Sequence, residues 1–512
     1  MFEGGNAMSL SPIQQEIVDL SGNLIVRASA GTGKTHTMVS KIVCDIEKQH
    51  SHKVIAAITF TVKAAREIKE RLTIDIERHF IGTNNSFAIE EIIKPFMKDV
   101  YGMEYKVDMS TDYSIKVDSF QEGIEKIRTE KILCSYREDK KNFIFQLALD
   151  IMKQSQACQL YLQSKYFKIY IDEYQDCDRH MHDFFMYICE ELKIDTFVVG
   201  DEKQSIYIWR GAYPQAFLSI WDRDDFEKRF MRDNFRSCQQ IQNYSNLLCE
   251  ETRSLYKSIG NLQSIYMIKT TQTSWVADVL EYIDRDKKTA LLRYSKANAQ
   301  DGAEKMSMKG MEVIYIPPIP IADITTDTAW LYSAIANYFV ISTYSVYDFL
   351  SEVPEEAIGN KKIVPYLKKV MANLDEYIKV GEDEKFEKQV ENLANYFGYD
   401  TRKEHIEKLY TTITDESFHP AFNVEQLDKI AITFHSSKGL EFEQVIVFAS
   451  DYKLSDAESI YNHYVAVTRA KSKLIIVDVG TYNDNIYSSN LSEIFAISNV
   501  KIEDVATVVN IR

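Results

Sequence analysis

The chain has 512 residues, 45% of them hydrophobic, and a formal net charge of −16, enough for about three or four domains with cores of their own. Its longest apolar stretches, such as 445–449, are far too short to cross a bilayer. No secretion signal is visible, and seven cysteines without a CxxC pair argue against zinc, iron–sulfur and disulfide frameworks and fit a reducing cytoplasm. The acidic total means that contact with nucleic acid must rest on particular residues and not on bulk charge.

Short runs rich in β-branched residues alternate with longer helical patterns. Those at 24–26, 54–59, 169–172 and 197–200 form an early group; those at 290–293, 311–316, 429–434, 445–449 and 474–479 form a late one. Continuous apolar strands separated by helices predict parallel sheets covered on both faces. The expected class is therefore α/β with two such domains. Two stretches read as helices instead, for example 121–142, 365–377 and 383–396, and each interrupts a domain. The expected division is 1–87 with 146–240 for the first domain and 88–145 for its helical insertion. The second domain takes 241–321 with 426–512, and 322–425 is a reduced helical insertion within it.

The strongest local signal follows the first run. Leu24-Ile25-Val26-Arg27 leads into Ala28-Ser29-Ala30-Gly31-Thr32-Gly33, and Lys34-Thr35 then opens a helix. Backbone N–H groups in such a loop cradle phosphates at a helix N-terminus. Lys34 is placed to reach the β- and γ-phosphates, and the Thr35 hydroxyl to hold Mg²⁺. Ala28 stands where the general motif has its first glycine. A tight turn with a chance lysine is the alternative, and the ordered strand, loop and helix argue against it.

The run Ile169-Tyr170-Ile171-Asp172-Glu173-Tyr174-Gln175-Asp176 ends a strand in acid. Carboxylates there face the crevice where open α/β sheets bind ligands. Asp172 is expected to hold Mg²⁺ and Glu173 to orient the attacking water as general base; a solvated acidic loop is the bland reading. Next, Gln204 lies beyond a strand end and suits a sensor of the γ-phosphate. Tyr207 and Trp209 follow it and could stack on bases, although aromatic residues more often pack into a core.

Together these blocks resemble the ordered motifs of superfamily 1 DNA helicases of the UvrD/PcrA/Rep group, from Leu10 to about Val477. The resemblance implies two RecA-like P-loop domains and an ATP-dependent DNA motor using ATP and Mg²⁺. Leu10-Ser11-Pro12-Ile13-Gln14 is similar to the adenine-reading motif, with Gln14 as reader. Thr59-Phe60-Thr61-Val62-Lys63-Ala64-Ala65 is similar to a DNA-contacting segment, implying Phe60 and Lys63. Gly82-Thr83-Asn84-Asn85-Ser86-Phe87 is a worn version of the next DNA motif, with Asn84-Asn85 in place of Phe-His, and implies Asn85. Asn234-Phe235-Arg236-Ser237 implies base stacking by Phe235 and a γ-phosphate contact by Arg236. The block from Thr433 to Phe442 implies DNA contact by His435 and ribose contact by Glu441. Val465-Ala466-Val467-Thr468-Arg469-Ala470-Lys471 implies Arg469 as the arginine finger. A finger arriving from the second domain makes hydrolysis depend on closure of the cleft.

Stretches outside these motifs, at 140–150, 166–170 and 241–246, are similar to the helicase-like subunits of Gabija anti-phage systems. That resemblance implies a cytoplasmic sensor and motor acting on single-stranded DNA or DNA ends. It implies hetero-oligomeric assembly with a GajA-like nuclease of the OLD family, and no membrane. A free-standing 3′–5′ DNA repair helicase is the alternative. A non-enzymatic scaffold is disfavoured by the intact Lys34, Asp172, Glu173, Gln204, Arg236 and Arg469.

Overall fold

The computed structural model describes residues 10–105, 108–206, 211–354 and 363–511. The chain is α/β, and its sheets are parallel throughout. The first sheet takes β1 (Leu24–Ala28), β2 (Val54–Thr59) and β3 (Phe80–Thr83). Two further strands, β4 (Ser110–Val117) and β5 (Ile132–Tyr136), form a small parallel pair of their own. The chain then returns to the first sheet as β6 (Tyr166–Ile171), β7 (Asp195–Gly200) and β8 (Glu227–Met231), giving the order β3-β2-β6-β7-β1-β8.

The central strands of this sheet are buried on both faces, and alternate residues feed different cores. Leu24, Val26, Ile55, Ala57, Tyr170 and Val199 pack on Met38 and Ile42 of the helix Lys34–Lys48 and on Ile68 of the helix Val62–Arg71. Ile25, Ala56, Ile58, Ile169, Ile171 and Val198 share the opposite core with the helices Phe143–Gln154, Arg179–Glu190 and Pro214–Trp221. This two-sided cover leaves the strand ends as the open edge of the layer, where the functional side chains collect.

The second sheet contains β9 (Ile265–Lys269), β10 (Thr289–Arg293), β11 (Ile314–Tyr315), β12 (Lys429–Thr433), β13 (Phe442–Phe448), β14 (Ala470–Asp478) and β15 (Thr507–Asn510). Their order is β11-β12-β10-β13-β14-β9-β15. One face packs on the helices Gln239–Leu248, Ala457–Val467 and Tyr482–Ala496; the other packs on Trp275–Leu280 and Lys296–Met308. Ala30, from the loop after β1, and Ile206, from beyond β7, are buried members of the second sheet's core. The two sheets are thus joined by packing at this point.

Residues from Ile321 to Ile413 build a third core around the helices Ala329–Val340, Ile363–Val380, Asp383–Tyr396 and Lys403–Thr414. The stretch 88–145 is less helical than its sequence pattern suggests. The helix beginning at Asn84 runs through a π-helical stretch, Ile89–Ile93, and on to Tyr101. The expected boundary at 87/88 therefore falls inside a helix. Pro95 cannot donate to the carbonyl one turn earlier, and the wider π turn sits immediately before it. The helical reading of 121–142 holds only for Phe120–Glu130, because Lys131 takes a left-handed φ of 60° and turns the chain into β5. The run at 311–316 shrinks to the two residues of β11.

β4 also fastens the two inserted stretches together. Asp112 makes an isolated antiparallel bridge with Thr326. Tyr113 N donates to Thr325 O at 3.4 Å, and Thr111 N donates to Asp327 Oδ2 at 2.7 Å. Arg402 pairs with Asp112, which is 3% exposed, and donates to Ser114 Oγ at 3.1 Å. Among the described residues no helix is long and apolar enough to cross a membrane.

Candidate functional site

The loop after β1 is shaped by two glycines in the left-handed region, Gly31 at φ 75° and Gly33 at φ 80°. A Cβ on Gly31 would fall 2.6 Å from Asn234 Oδ1 and 2.8 Å from Arg236 Cβ. Only glycine lets the Asn234–Ser237 segment lie against this loop. Phe235 N closes the contact by donating to Gly31 O at 2.8 Å, while the residue stays 60% exposed. Gly33 caps the helix Lys34–Lys48 and supplies no side-chain acceptor. The first-turn N–H groups therefore keep their donors and their positive end for a ligand. Ser29 Oγ is buried without a hydrogen-bond partner. Thr32 Oγ1 donates to Ser29 O at 2.8 Å, and Gln14 Nε2 donates to Thr32 O at 3.1 Å. Gln14 also closes a capping box with Ser11 at the start of its own helix, so its amide is held on the loop. A cradle with free N–H donors and an orphaned hydroxyl fits a phosphate chain. Ala28 is fully buried as the last residue of β1.

The carboxylates arrive from the neighbouring strand but one. Asp172 follows β6, is 5% exposed, and its N donates to Ile58 O at 3.0 Å. Glu173 takes a φ of 52°, a costly conformation for a side chain of this kind. That turn aims its carboxylate at Lys34, with Oε1 2.9 Å from Nζ. Gln175 Nε2 donates to Glu173 Oε2 at 2.6 Å. Burial pushes Asp172 up to about 7, reinforced by the charge on Glu173. Burial also opposes ionisation of Glu173, but Lys34 and Lys438 outweigh it and hold this carboxylate well below the usual range. The lysines thus favour the charge on Glu173, and burial beside that charge favours the proton on Asp172.

Beyond β7, Gln204 Nε2 donates to Asp201 Oδ2 at 2.7 Å, and Asp201 N donates to Gln175 Oε1 at 3.0 Å. The buried Lys203 pairs with Asp201 at 2.5 Å. Arg27 pairs with Glu202 and lies 5.1 Å from the Trp221 ring. Buried charges of this kind persist only when paired, and these pairs fix the segment that carries Gln204.

The opposite wall comes from the segment after β8, with Arg236, and from the strand ends of the second sheet. Arg236 Nε donates to Glu441 Oε2 at 2.6 Å, and Lys471 holds the other oxygen of Glu441 at 2.9 Å. Arg469 is 2% exposed, and its guanidinium is turned onto carbonyls: Nε to Val465 O at 3.0 Å and Nη1 to Leu440 O at 3.3 Å. Burial, and then the nearby charge of Arg236, push its pKa down. Lys438, from the turn after β12, reaches across to Asp176 Oδ2 at 2.5 Å and lies 3.4 Å from Glu173 Oε2. Asp176 is pushed up to about 6 by burial, against the pull of Lys438.

The structure thus gathers Gln14, the loop from Ser29 to Thr35, Asp172, Glu173, Gln204, Arg236, Glu441 and Arg469 around one cleft. Gln175, Asp176 and Lys438 were missed as site residues although all three stand in motifs already singled out. Their signal was a polar side chain next to a strand end, opposite charge of the other sign.

The expected DNA contacts are more dispersed. Phe60, just past β2, is half-buried against the first core. Lys63 is exposed and paired with Glu425 at 2.6 Å. Asn85 donates from Nδ2 to Tyr113 Oη at 3.1 Å. His435 follows β12, its ring 3.9 Å from Phe434 and 6.1 Å from the exposed Tyr294. Tyr207 and Trp209 lie outside the described residues.

The family described as the UvrD/REP helicase N-terminal domain matches residues 10–144 and 129–227, and the UvrD-like helicase C-terminal domain matches residues 430–477. With this site and fold, the chain belongs to the UvrD/Rep family of ATP-dependent DNA helicases. It is 39% identical to the Gabija protein GajB of Bacillus cereus over 513 residues, 95% of this chain and 99% of that protein. It is also 26% identical to the ATP-dependent DNA helicase Rep of Buchnera aphidicola, over 49% of this chain and 45% of Rep. The ATP-dependent DNA helicase PcrA of Staphylococcus aureus is 26% identical, over 44% of this chain and 37% of PcrA.

Proposed function

We propose that the chain is a DNA-dependent ATPase and helicase-like motor of bacterial anti-phage defence, acting in the cytoplasm with a separate GajA-like nuclease. The defence role is supported by the likeness to GajB, which runs almost the full length of both proteins. Rep and PcrA are matched over less than half their length, so a free-standing repair helicase is the weaker reading.

The observation that carries the chemistry is the Lys34–Glu173 ion pair at 2.9 Å, set in a cleft whose far wall holds Arg236 and Arg469. In this reading residues 1–87 with 146–240 supply the phosphate loop and carboxylates, and 241–321 with 426–512 supply Arg469. Lys34 exchanges Glu173 for phosphate oxygens, which frees an ionised Glu173 to orient water and take its proton. Gln175 steadies that carboxylate, and Gln204 reports on the terminal phosphate. Arg469 leaves its carbonyl contacts to meet the charge that develops there. No group of three acidic, histidine or cysteine side chains is placed to hold a metal among the described residues. Thr35 and Asp172 would hold Mg²⁺ together with the nucleotide's own phosphates, a mode usual for this ion; when bound it neutralises phosphate charge. Phe60, Lys63, Asn85, Tyr207, Trp209 and His435 are assigned to single-stranded DNA.

Phosphate release by the purified chain, with and without single-stranded DNA and with Glu173→Gln as control, tests the motor. Turnover that rises with DNA and vanishes in the variant is expected; DNA-independent turnover, or none, would reject the assignment. Co-purification with a co-expressed OLD-family nuclease tests the assembly.

A further inference from the structure

Tyr464 lies on the helix Ala457–Val467, five residues before Arg469, and is 2% exposed. Its hydroxyl accepts from Ala30 N at 3.2 Å, inside the phosphate loop, and donates to Asp201 Oδ2 at 3.4 Å. The same Asp201 oxygen holds Gln204 Nε2 at 2.7 Å. One hydroxyl therefore satisfies a loop donor and touches the acceptor that fixes Gln204, using both its capacities.

The backbone of the same residue serves the other wall. Tyr464 O accepts from Thr468 N at 3.0 Å and from Thr468 Oγ1 at 2.8 Å. Thr468 O in turn accepts from Arg236 Nη1 at 3.4 Å, and Thr468 Oγ1 accepts from Arg469 Nη2 at 3.4 Å. Around this chain of contacts Ala30 and Ile206 are packed into the second sheet's core, and Lys203 lies 5.6 Å from the Tyr464 ring. A packed, buried junction transmits a shift of one member to the others, because it has no free volume in which to absorb it.

We propose that Tyr464 is the positioning residue that ties the phosphate loop to Gln204 on one side and to Arg236 and Arg469 on the other. It touches neither the nucleotide nor the water; it sets the relative placement of groups that do. The inference rests on the hydrolytic reading of the cleft. Loss of the Ala30 contact when the loop changes shape releases the hydroxyl, and with it both Asp201 and the turn at Thr468 that precedes Arg469 and accepts from Arg236.

Tyr464→Phe keeps the ring and removes only the hydroxyl. DNA-stimulated kcat for ATP is expected to fall about tenfold, with KM within about twofold, the size of effect that follows from misplacing a charge-stabilising group. Binding of ADP with aluminium fluoride is expected to weaken in proportion while binding of ADP alone holds. Tyr464→Phe/Gln204→Ala is expected to be no slower than Gln204→Ala. Unchanged kcat in Tyr464→Phe, equal weakening of both nucleotide complexes, or multiplicative losses in the double variant would each overturn the proposal. Lys34→Ala measured alongside separates the two levels: turnover that survives in it rejects the site itself, whereas its loss beside a normal Tyr464→Phe rejects only the role of Tyr464.

Discussion

Lys438 Nζ lies 2.5 Å from Asp176 Oδ2, an ion pair between the two halves of the molecule with both side chains largely buried. Removing one member of such a pair leaves a charge without its partner, at a cost of about 3–5 kcal/mol. Lys438→Ala should therefore lower the thermal midpoint of the nucleotide-free protein clearly. Adding Asp176→Asn removes the stranded charge and should recover most of the loss. Equal midpoints for the single and double variants would show that the pair does not hold the halves together.

Lys34→Ala acts on chemistry and not on folding. The ammonium is the cation nearest Glu173, and without it phosphate release should drop by about 100-fold or more, comparable to loss of one charge-stabilising donor. The thermal midpoint should stay close to that of the parent, since Lys438 still faces Glu173 at 3.4 Å. Persistent hydrolysis would remove Lys34 from the site.

Asp172 gives a pH signature. Its carboxyl is pushed up to about 7, first by burial and then by Glu173, from about 3.9 in an unfolded chain. Between those values the folded state holds a proton that the unfolded state has lost, so this group makes stability fall as pH rises. Asp172→Asn keeps the oxygen that accepts from Glu173 N at 2.9 Å and removes the ionisation. In melts without nucleotide or metal, its advantage over the parent should grow from about pH 4 to about pH 7 and stay level above. An advantage that shrinks with rising pH would contradict the assignment.

Lys63 is proposed as a contact to single-stranded DNA, yet Glu425 occupies it at 2.6 Å with both side chains exposed. An exposed pair is weak and screened by salt. Glu425→Ala should tighten binding of single-stranded DNA by about two- to threefold at low ionic strength, with the gain fading at high salt. Titration of a labelled oligonucleotide at two salt concentrations measures this, and no change at low salt would place Lys63 off the DNA path.

The α/β class was legible because strands buried on both faces are written as unbroken apolar runs, as in β2 and β13. Most of the strands that escaped lie at sheet edges or in the small pair β4–β5; β9, between β14 and β15, is an exception. β8 reads Glu-Lys-Arg-Phe-Met and has only Met231 buried, so nothing in its pattern distinguishes it from a charged loop. β4 and β5 were hidden because the helix before β5 stops at Lys131 without glycine or proline to mark the end. In the cleft, residues whose chemistry is local to a motif, such as Lys34 and Glu173, could be named from their neighbours. Tyr464 could not, because a buried tyrosine looks the same in sequence whether it packs or bridges. Its partners Ala30 and Asp201 stand 434 and 263 residues away, a relation only the fold supplies.

The strap formed by β4 has a mechanical consequence. The halves of the protein meet around the cleft, where Ala30 meets Tyr464 and Asp176 meets Lys438, and again at the inserted stretches, where Asp112 meets Thr326 and Arg402. A separation of the halves that keeps the attachment at Asp112 must pivot there, and the contacts around the cleft are the ones it breaks. Of the charged links between the halves, the exposed Lys63–Glu425 pair is the one salt loosens first, whereas Asp112, with its carboxylate buried beneath Arg402, keeps its hold.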